Sequence, residues 1–408
     1  MRTKKSRKKL AVTLSVIFLV VLLAVGFIIM QKNKPAVVTT TDTSQKETQT
    51  TQIEEPKKPL RTRFVAAGDS IGHDALNKAA KNGSIYSYAP FMDQLKPLLK
   101  SADIAFCNQS TLVGGEKFAI TGYPSFNSPA AFATDMAETG CNLVNTASNH
   151  SSDKSQAVID ANVDIWAGVP NMLAVAGQYK SEADKQKVST FEVDGLTYAF
   201  LAYSTFSNSP PPTSYGVAMY SRQLAAQQIA AAKTAGAKFI IVSMRWGTEY
   251  SQGINAYQQA ESQYLADLGV AVVLGHGPHV LEPVKRLTGA SGNETVVWYS
   301  LGNFLHAQLE PETLFNGVAV MEIDPATASV TSISFLPTYM HYEWTAAEAA
   351  RQDLLARKNF DLVPLESART LLEKSLIASS EPAQKERLKQ TLNAYLPIPF
   401  TTYKELGL

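Results

Sequence analysis

Four of the six histidines in this 408-residue chain fall within six short runs that also carry Asp, Asn, Glu and Gly. The runs are AAGDSIGH (66–73), FCNQST (106–111), NTASNHSSD (145–153), SMRWGTEY (243–250), LGHGPH (274–279) and YSLGNF (299–304). They bring Asp69, His73, Asn149, His150, His276 and His279 into view, with His306 just past the last run. A carboxylate, an amide oxygen and several imidazoles make a mixed oxygen and nitrogen donor set. Such a set suits Mn, Fe or Zn better than Ca or a thiolate site. Singly, a Gly-Asp is a turn and an Asn-His pair a loop hydrogen bond; jointly, at successive strand ends, they point to a metal or phosphate site.

Short apolar, β-rich runs precede each of these stretches. They span Arg63–Ala67, Asp103–Cys107, Leu143–Ala147, Met172–Ala176, Thr197–Tyr203, Phe239–Met244, Ala271–Leu274 and Thr295–Tyr299. Helical patterns alternate with them at Tyr88–Ser101, Pro129–Thr139, Ser155–Ala167, Ser221–Ala235 and Tyr257–Leu268. This alternation predicts an α/β fold with a buried sheet, and open α/β folds place their chemistry beyond the carboxyl ends of the strands. Gly317–Ile323 and Val330–Phe335 read as further strands without helices between them, so the sheet is mixed or a second sheet packs on it. Residues 345–398 read as a helical tail.

The chain is 45% hydrophobic and 18% charged, which excludes wholesale disorder and a collagen-like fibre. Residues 1–34 hold eight Lys/Arg and no acid, leaving 29 basic against 36 acidic groups in the rest. An acidic bulk of this kind argues against a nucleic-acid partner, whose phosphates need clustered cations. Residues 1–9 carry six of those basic groups, and residues 10–30 form an uncharged apolar run. At helical rise that run spans ~31 Å, the thickness of a hydrocarbon core. The expectation is a single-pass signal anchor in the cell membrane, basic end cytoplasmic, with a polar stalk over 31–61 and an extracytoplasmic domain beyond. Cys107 and Cys141, placed at opposite ends of neighbouring strands ~15 Å apart, are expected as two buried thiols. Ser204, Ser243 and Ser300 lack a nucleophile-elbow context.

The order Gly-Asp, Asn-x-x, Asn-His-x-x-Asp, Trp-Gly-x-Glu, Gly-His-x-Pro-His and Tyr-Ser-Leu-Gly-Asn-Phe resembles the CapA family of bacterial capsule and poly-γ-glutamate synthesis proteins. The resemblance covers about residues 62–306. It implies a fold like that of calcineurin-type metallophosphoesterases: a four-layer α-β-β-α sandwich over 62–340, here preceded by a transmembrane helix and followed by a helical extension, 341–408. It further implies divalent metal held by Asp69, Asn149, His276 and His279. His150 would be the catalytic group that orients phosphate or protonates a leaving oxygen. Asn108, Arg245, Glu249 and Asn303 would bind substrate. The implied partners are an anionic surface polymer or phosphate-containing substrate, the membrane, and polymer synthase subunits.

Three positions depart from the family pattern. Ser110 stands where a Glu is typical, Arg245 where a His precedes Trp-Gly, and Gly277 where the turn has its middle His. Losing a carboxylate and an imidazole while gaining a cation disfavours two dications, whereas a guanidinium binds carboxylate or phosphate through its planar fork. Two readings follow. One is a metal-dependent phosphoesterase-like hydrolase or transferase; the other is a non-catalytic member that binds polymer or scaffolds a synthase through the same surface.

Overall fold

The computed structural model describes residues 60–377 and 379–408. The basic segment 1–9, the apolar span 10–30 and all but the last two residues of the stalk lie outside them. Among the described residues no helix is long and apolar enough to cross a membrane.

Two sheets stand face to face. The first contains β1 (Thr62–Ser70), β2 (Ile104–Gln109), β3 (Leu143–Asn145) and β4 (Ala174–Ala176), all parallel. The second is built from β5 (Ser189–Val193), β6 (Leu196–Ser204), β7 (Phe239–Arg245), β8 (Val272–His276), β9 (Val284–Thr288) and β10 (Glu294–Trp298). Its order is β9-β10-β8-β7-β6-β5, with β6, β7, β8 and β10 parallel. On the open side of β1, β11 (Phe315–Asp324), β12 (Ser329–Glu343) and β13 (Lys358–Pro364) add antiparallel strands to the first sheet.

The central strands are apolar on both faces because both faces are covered, as in other parallel sheets. Phe106 of β2 meets Phe200 of β6 at a ring distance of 6.0 Å, and Trp298 meets Phe335 at 6.1 Å, so these side chains fill the space between sheets. Helices α1 (Ala130–Thr139) and α2 (Gln156–Ala167) pack with the first sheet, while Ala225, Ile229 and Leu265 of α3 (Arg222–Thr234) and α4 (Ala256–Asp267) join the outer core of the second. The helix expected over Tyr88–Ser101 is instead a 3-10 turn, Ala89–Met92, and a short helix, Lys96–Lys100. Pro90 and Pro97 sit at their first turns, where a missing N–H costs nothing and where a continuous helix would break.

Two expectations are corrected. Cys107 and Cys141 form a disulfide, with Cα atoms 5.7 Å apart. Spacing along the strands was the wrong measure. Phe106 points between the sheets, so Cys107 points outward to the helix layer, and Cys141 leaves the end of α1 above that same face through its N–H bond to Met136 O. Closing this 34-residue loop contributes about 4 kcal/mol in the chain-entropy view. The tail is likewise not all helical. β12 runs across residue 340, and β13 pairs with it as an edge strand whose Phe360 and Leu362 alternate inward. One longer helix, α5 (Glu381–Leu392), follows.

Candidate functional site

Asp69 is the hub, and local backbone geometry places it there. Between Ala66 and Asp69, β1 has one residue more than β2 opposite it, a bulge that re-aims the side chain. Gly68 allows this because the segment 301–304 presses against it: a Cβ there would lie 2.0 Å from Gly302 O. Asp69 N–H donates to Gly302 O at 2.9 Å, and Phe304 N–H donates to Asp69 O at 2.8 Å. The Gly-Asp and Leu-Gly-Asn-Phe motifs are therefore two sides of one backbone clasp.

The Asp69 carboxylate is buried and fully engaged. Oδ1 accepts from Asn108 Nδ2 and, at 2.7 Å, from Ser110 Oγ; Oδ2 accepts from Gly277 N–H at 3.2 Å and faces His279 Nδ1 at 3.0 Å. His279 Nδ1 also faces Asn303 Oδ1 at 3.1 Å. Two acceptors flank that nitrogen, so it carries the proton. Burial raises the Asp69 pKa, but the His279 hydrogen bond and charge, then His276 and Ser110, outweigh it and hold the carboxyl well below the usual range.

His276, at the end of β8, lies with Nε2 3.0 Å from Asn145 Nδ2 and 2.9 Å from Ser243 Oγ. Its Nδ1 is 3.7 Å from Asp69 Oδ1 and has no hydrogen-bond partner among the described residues. Burial, with the charges of Arg245 and His279, pushes it down to about 4 against the pull of Asp69. His276 is neutral at physiological pH.

Arg245, at the end of β7, is entirely buried. Nε donates to Asn149 Oδ1 at 3.2 Å, and one terminal nitrogen donates to Glu249 Oε1 at 2.9 Å. The other terminal nitrogen, Nη1, has no partner among the described residues. The half-exposed Phe206 ring caps the guanidinium at 3.8 Å. Burial lowers Arg245 to about 10, opposed by Glu249 and Asp69, so it keeps its charge at neutral pH. Gly277, with φ +107°, yields to it: a Cβ there would lie 2.8 Å from Arg245 Nε. Two of the three departures noted in the sequence thus occupy one another's space, and the third, Ser110, is a donor to Asp69.

His150 sits beside this group, Nδ1 held by Asp153 Oδ2 at 2.7 Å and Nε2 near Asn208 Nδ2 at 3.0 Å, with the Phe126 ring against it. Two hydrogen-bonded groups result: Arg245 joins Asn149 and Glu249, while Asp69 joins Gly277, Asn108, His279 and, through His279, Asn303, with His276 adjoining Asn108 through Asn145; the groups meet where the Arg245 side chain lies against Gly277. His73 Nδ1 accepts from Ala307 N–H at 3.1 Å; burial and the charges of Arg357 and the other histidines push it down to about 3. His306 is buried behind it and also held neutral by burial. Sequence reasoning left out Asn145 and Gln308, and weighed Ser243 only as a nucleophile. Asn145 and Ser243 open two of the quoted runs, but their types gave no metal signal.

The donor set does not fit a two-metal centre. An ionised carboxylate offers about four lone-pair positions, and all four on Asp69 are taken by N–H or O–H donors or by an imidazole nitrogen. No second carboxylate joins it, and a fixed cation, Arg245, borders the turn that feeds it. Among the described residues no group of three or more His, Cys, Asp or Glu side chains is arranged to hold a metal ion.

Residues 63–308 match the model of the bacterial capsule synthesis protein PGA_cap. The chain is 30% identical over 169 residues to the PGA biosynthesis protein CapA of Bacillus subtilis (strain 168), covering 41% of this chain and 43% of that protein. It is 25% identical over 211 residues to the capsule biosynthesis protein CapA of Bacillus anthracis, covering 47% and 48%. The chain thus matches less than half the length of these curated relatives. Among solved structures, it is similar to a calcineurin-like phosphoesterase, YfkN from Bacillus subtilis, with TM-score 0.40, 13% identity, and coverage of 69% of this chain and 91% of that one.

Proposed function

This chain belongs to the bacterial capsule synthesis protein PGA_cap family, and we propose that it serves synthesis, export or anchoring of an anionic surface polymer by binding an acidic group at Arg245, not by two-metal hydrolysis. One observation carries this reading. Arg245 is fully buried among the family motifs, its orientation fixed by Asn149 and Glu249, with Nη1 uncommitted. A buried guanidinium with an unpaired N–H is incomplete, and an oxygen of a carboxylate or phosphate completes it at Nη1. Asp69 serves this arrangement as the anchor of the 276–279 turn. His150, which directly follows Asn149, is held by Asp153 at Nδ1 and by Asn208 at Nε2, so it borders this arrangement as a fixed ring with both nitrogens engaged.

Metal analysis with anion titration tests the reading. The purified protein should hold fewer than two metal ions per chain and bind phosphate or short acidic oligomers in the presence of chelator. Arg245→Gln should abolish that binding. The double change Ser110→Glu with Arg245→His restores a carboxylate and an imidazole, and should raise the metal content. Two tightly held ions in wild type would overturn the proposal.

The location is part of the proposal. The basic cluster before the apolar run 10–30 supports a single-pass anchor with the domain outside the cytoplasm, near polymer synthase subunits in the membrane. Protease applied to intact cells lacking a wall should release a fragment that begins within 31–61. Full protection of the domain would refute this placement.

A further inference from the structure

Seven non-glycine residues of the described chain have positive φ, and three of them are Asn or Asp, which tolerate it. The only two aromatic rings among the seven, Tyr250 (φ +62°) and His279 (φ +65°), touch each other at this site, with ring centres 5.9 Å apart. A bulky side chain in the left-handed region costs stability, and such outliers persist where surrounding contacts or function retain them. Here the contacts are visible. Tyr250 N–H donates to Pro278 O at 2.8 Å, and its Oη accepts from Gln308 Nε2 at 3.3 Å. Gln308 Oε1 accepts from Asn303 Nδ2 at 2.7 Å, and Asn303 Oδ1 closes the circuit on His279 Nδ1.

The circuit fixes the ring but leaves it unused. Tyr250 is 48% exposed, and its hydroxyl accepts within the described residues while donating to none of them. It directly follows Glu249, the partner of Arg245. We propose that Tyr250 is a specificity-determining residue of the Arg245 site. Its exposed ring receives the flat linkage next to a bound acidic group, and its free O–H donates to an acceptor there. The site therefore prefers an oxyanion carried on a chain, which the ring can contact, over a free ion. Tyrosine suits this role because it offers a rigid, amphipathic contact with few torsions to freeze. This inference rests on the anion-binding reading above.

The test compares wild type, Tyr250→Phe and Tyr250→Gly as full chains, by calorimetric titration with a glutamate pentapeptide and with inorganic phosphate. Glycine suits a positive φ, so Tyr250→Gly should fold with a melting temperature close to wild type or above it. It should bind the pentapeptide ~10-fold more weakly, the ~1.4 kcal/mol expected of one aromatic contact, while phosphate binding changes less than ~2-fold. Tyr250→Phe should retain most of the pentapeptide affinity. Equal loss of both ligands, or loss of neither, would overturn the role of Tyr250 and leave the anion site standing. Failure of wild type to bind either ligand would overturn both.

Discussion

Two buried carboxylates lie on either side of the 276–279 turn, and they behave in opposite ways. Asp69 receives donors from Asn108, Ser110, Gly277 and His279 and is held ionised, well below the usual carboxylate range. Among the described residues Glu282 has one side-chain donor, Gln258 Nε2, at 2.6 Å, while its Oε1 has no partner. Burial pushes Glu282 up to about 8, the Gln258 bond opposing only in part. Both side chains are out of water, so desolvation does not separate them; the hydrogen bond and charge of His279, then His276 and Ser110, do. A fold spends four donors on a buried charge where that charge organises a turn and a site. Where the carboxyl only packs, it is left to take a proton.

The same carboxyl-to-amide exchange should therefore have opposite signs at the two positions. Asp69 has a folded pKa below its unfolded value, so its stabilisation is present above the unfolded pKa and lost as pH falls. At neutral pH, Asp69→Asn should cost about 3 kcal/mol or more, since it removes one partner of a buried charged network. Glu282 has a folded pKa of about 8 against an ordinary 4.5, so its stabilisation is present in acid and lost as pH rises. Glu282→Gln should match wild type near pH 4 and then gain on it by about 1.4 kcal/mol per pH unit up to about pH 8. Denaturant unfolding across that range checks both. A Glu282→Gln variant that only loses stability would break the comparison.

Much of this was legible in the chain itself. The apolar runs found the parallel strands because both their faces are buried, and Gly-Asp and Gly-His-x-Pro-His lay at strand ends, where the hub proved to be. What escaped depends on direction, not spacing. The reach between Cys107 and Cys141 was measured along the sheet, while α1 delivers Cys141 from above it. β13 hid between helix-favouring stretches, although Phe360 and Leu362 already alternate as strand residues do. The resemblance implies metal roles for Asp69 and His276, and a motif does not say how many lone pairs neighbours already occupy. Ser110, Arg245 and Gly277 were visible as three separate departures. Only the structure shows Arg245 and Gly277 competing for one space.

That competition gives the finest test of why Asp69 and Glu282 differ, because Gly277 is the turn residue whose N–H reaches Asp69. An added methyl at Gly277 meets two penalties: the left-handed φ of +107° and the Arg245 guanidinium, 2.8 Å away at Nε and 3.1 Å at Cζ. Gly277→Ala should therefore cost about 1–3 kcal/mol. The first penalty belongs to the backbone and is blind to residue 245; the second vanishes when the guanidinium is gone. In an Arg245→Ala background the same substitution should keep only the backbone part, giving a coupling of about 1 kcal/mol in a double-mutant cycle. Costs that simply add would mean that Arg245 moves aside freely. Its position beside the turn would then be incidental, and the fourth donor of Asp69 would owe nothing to the residue at 245.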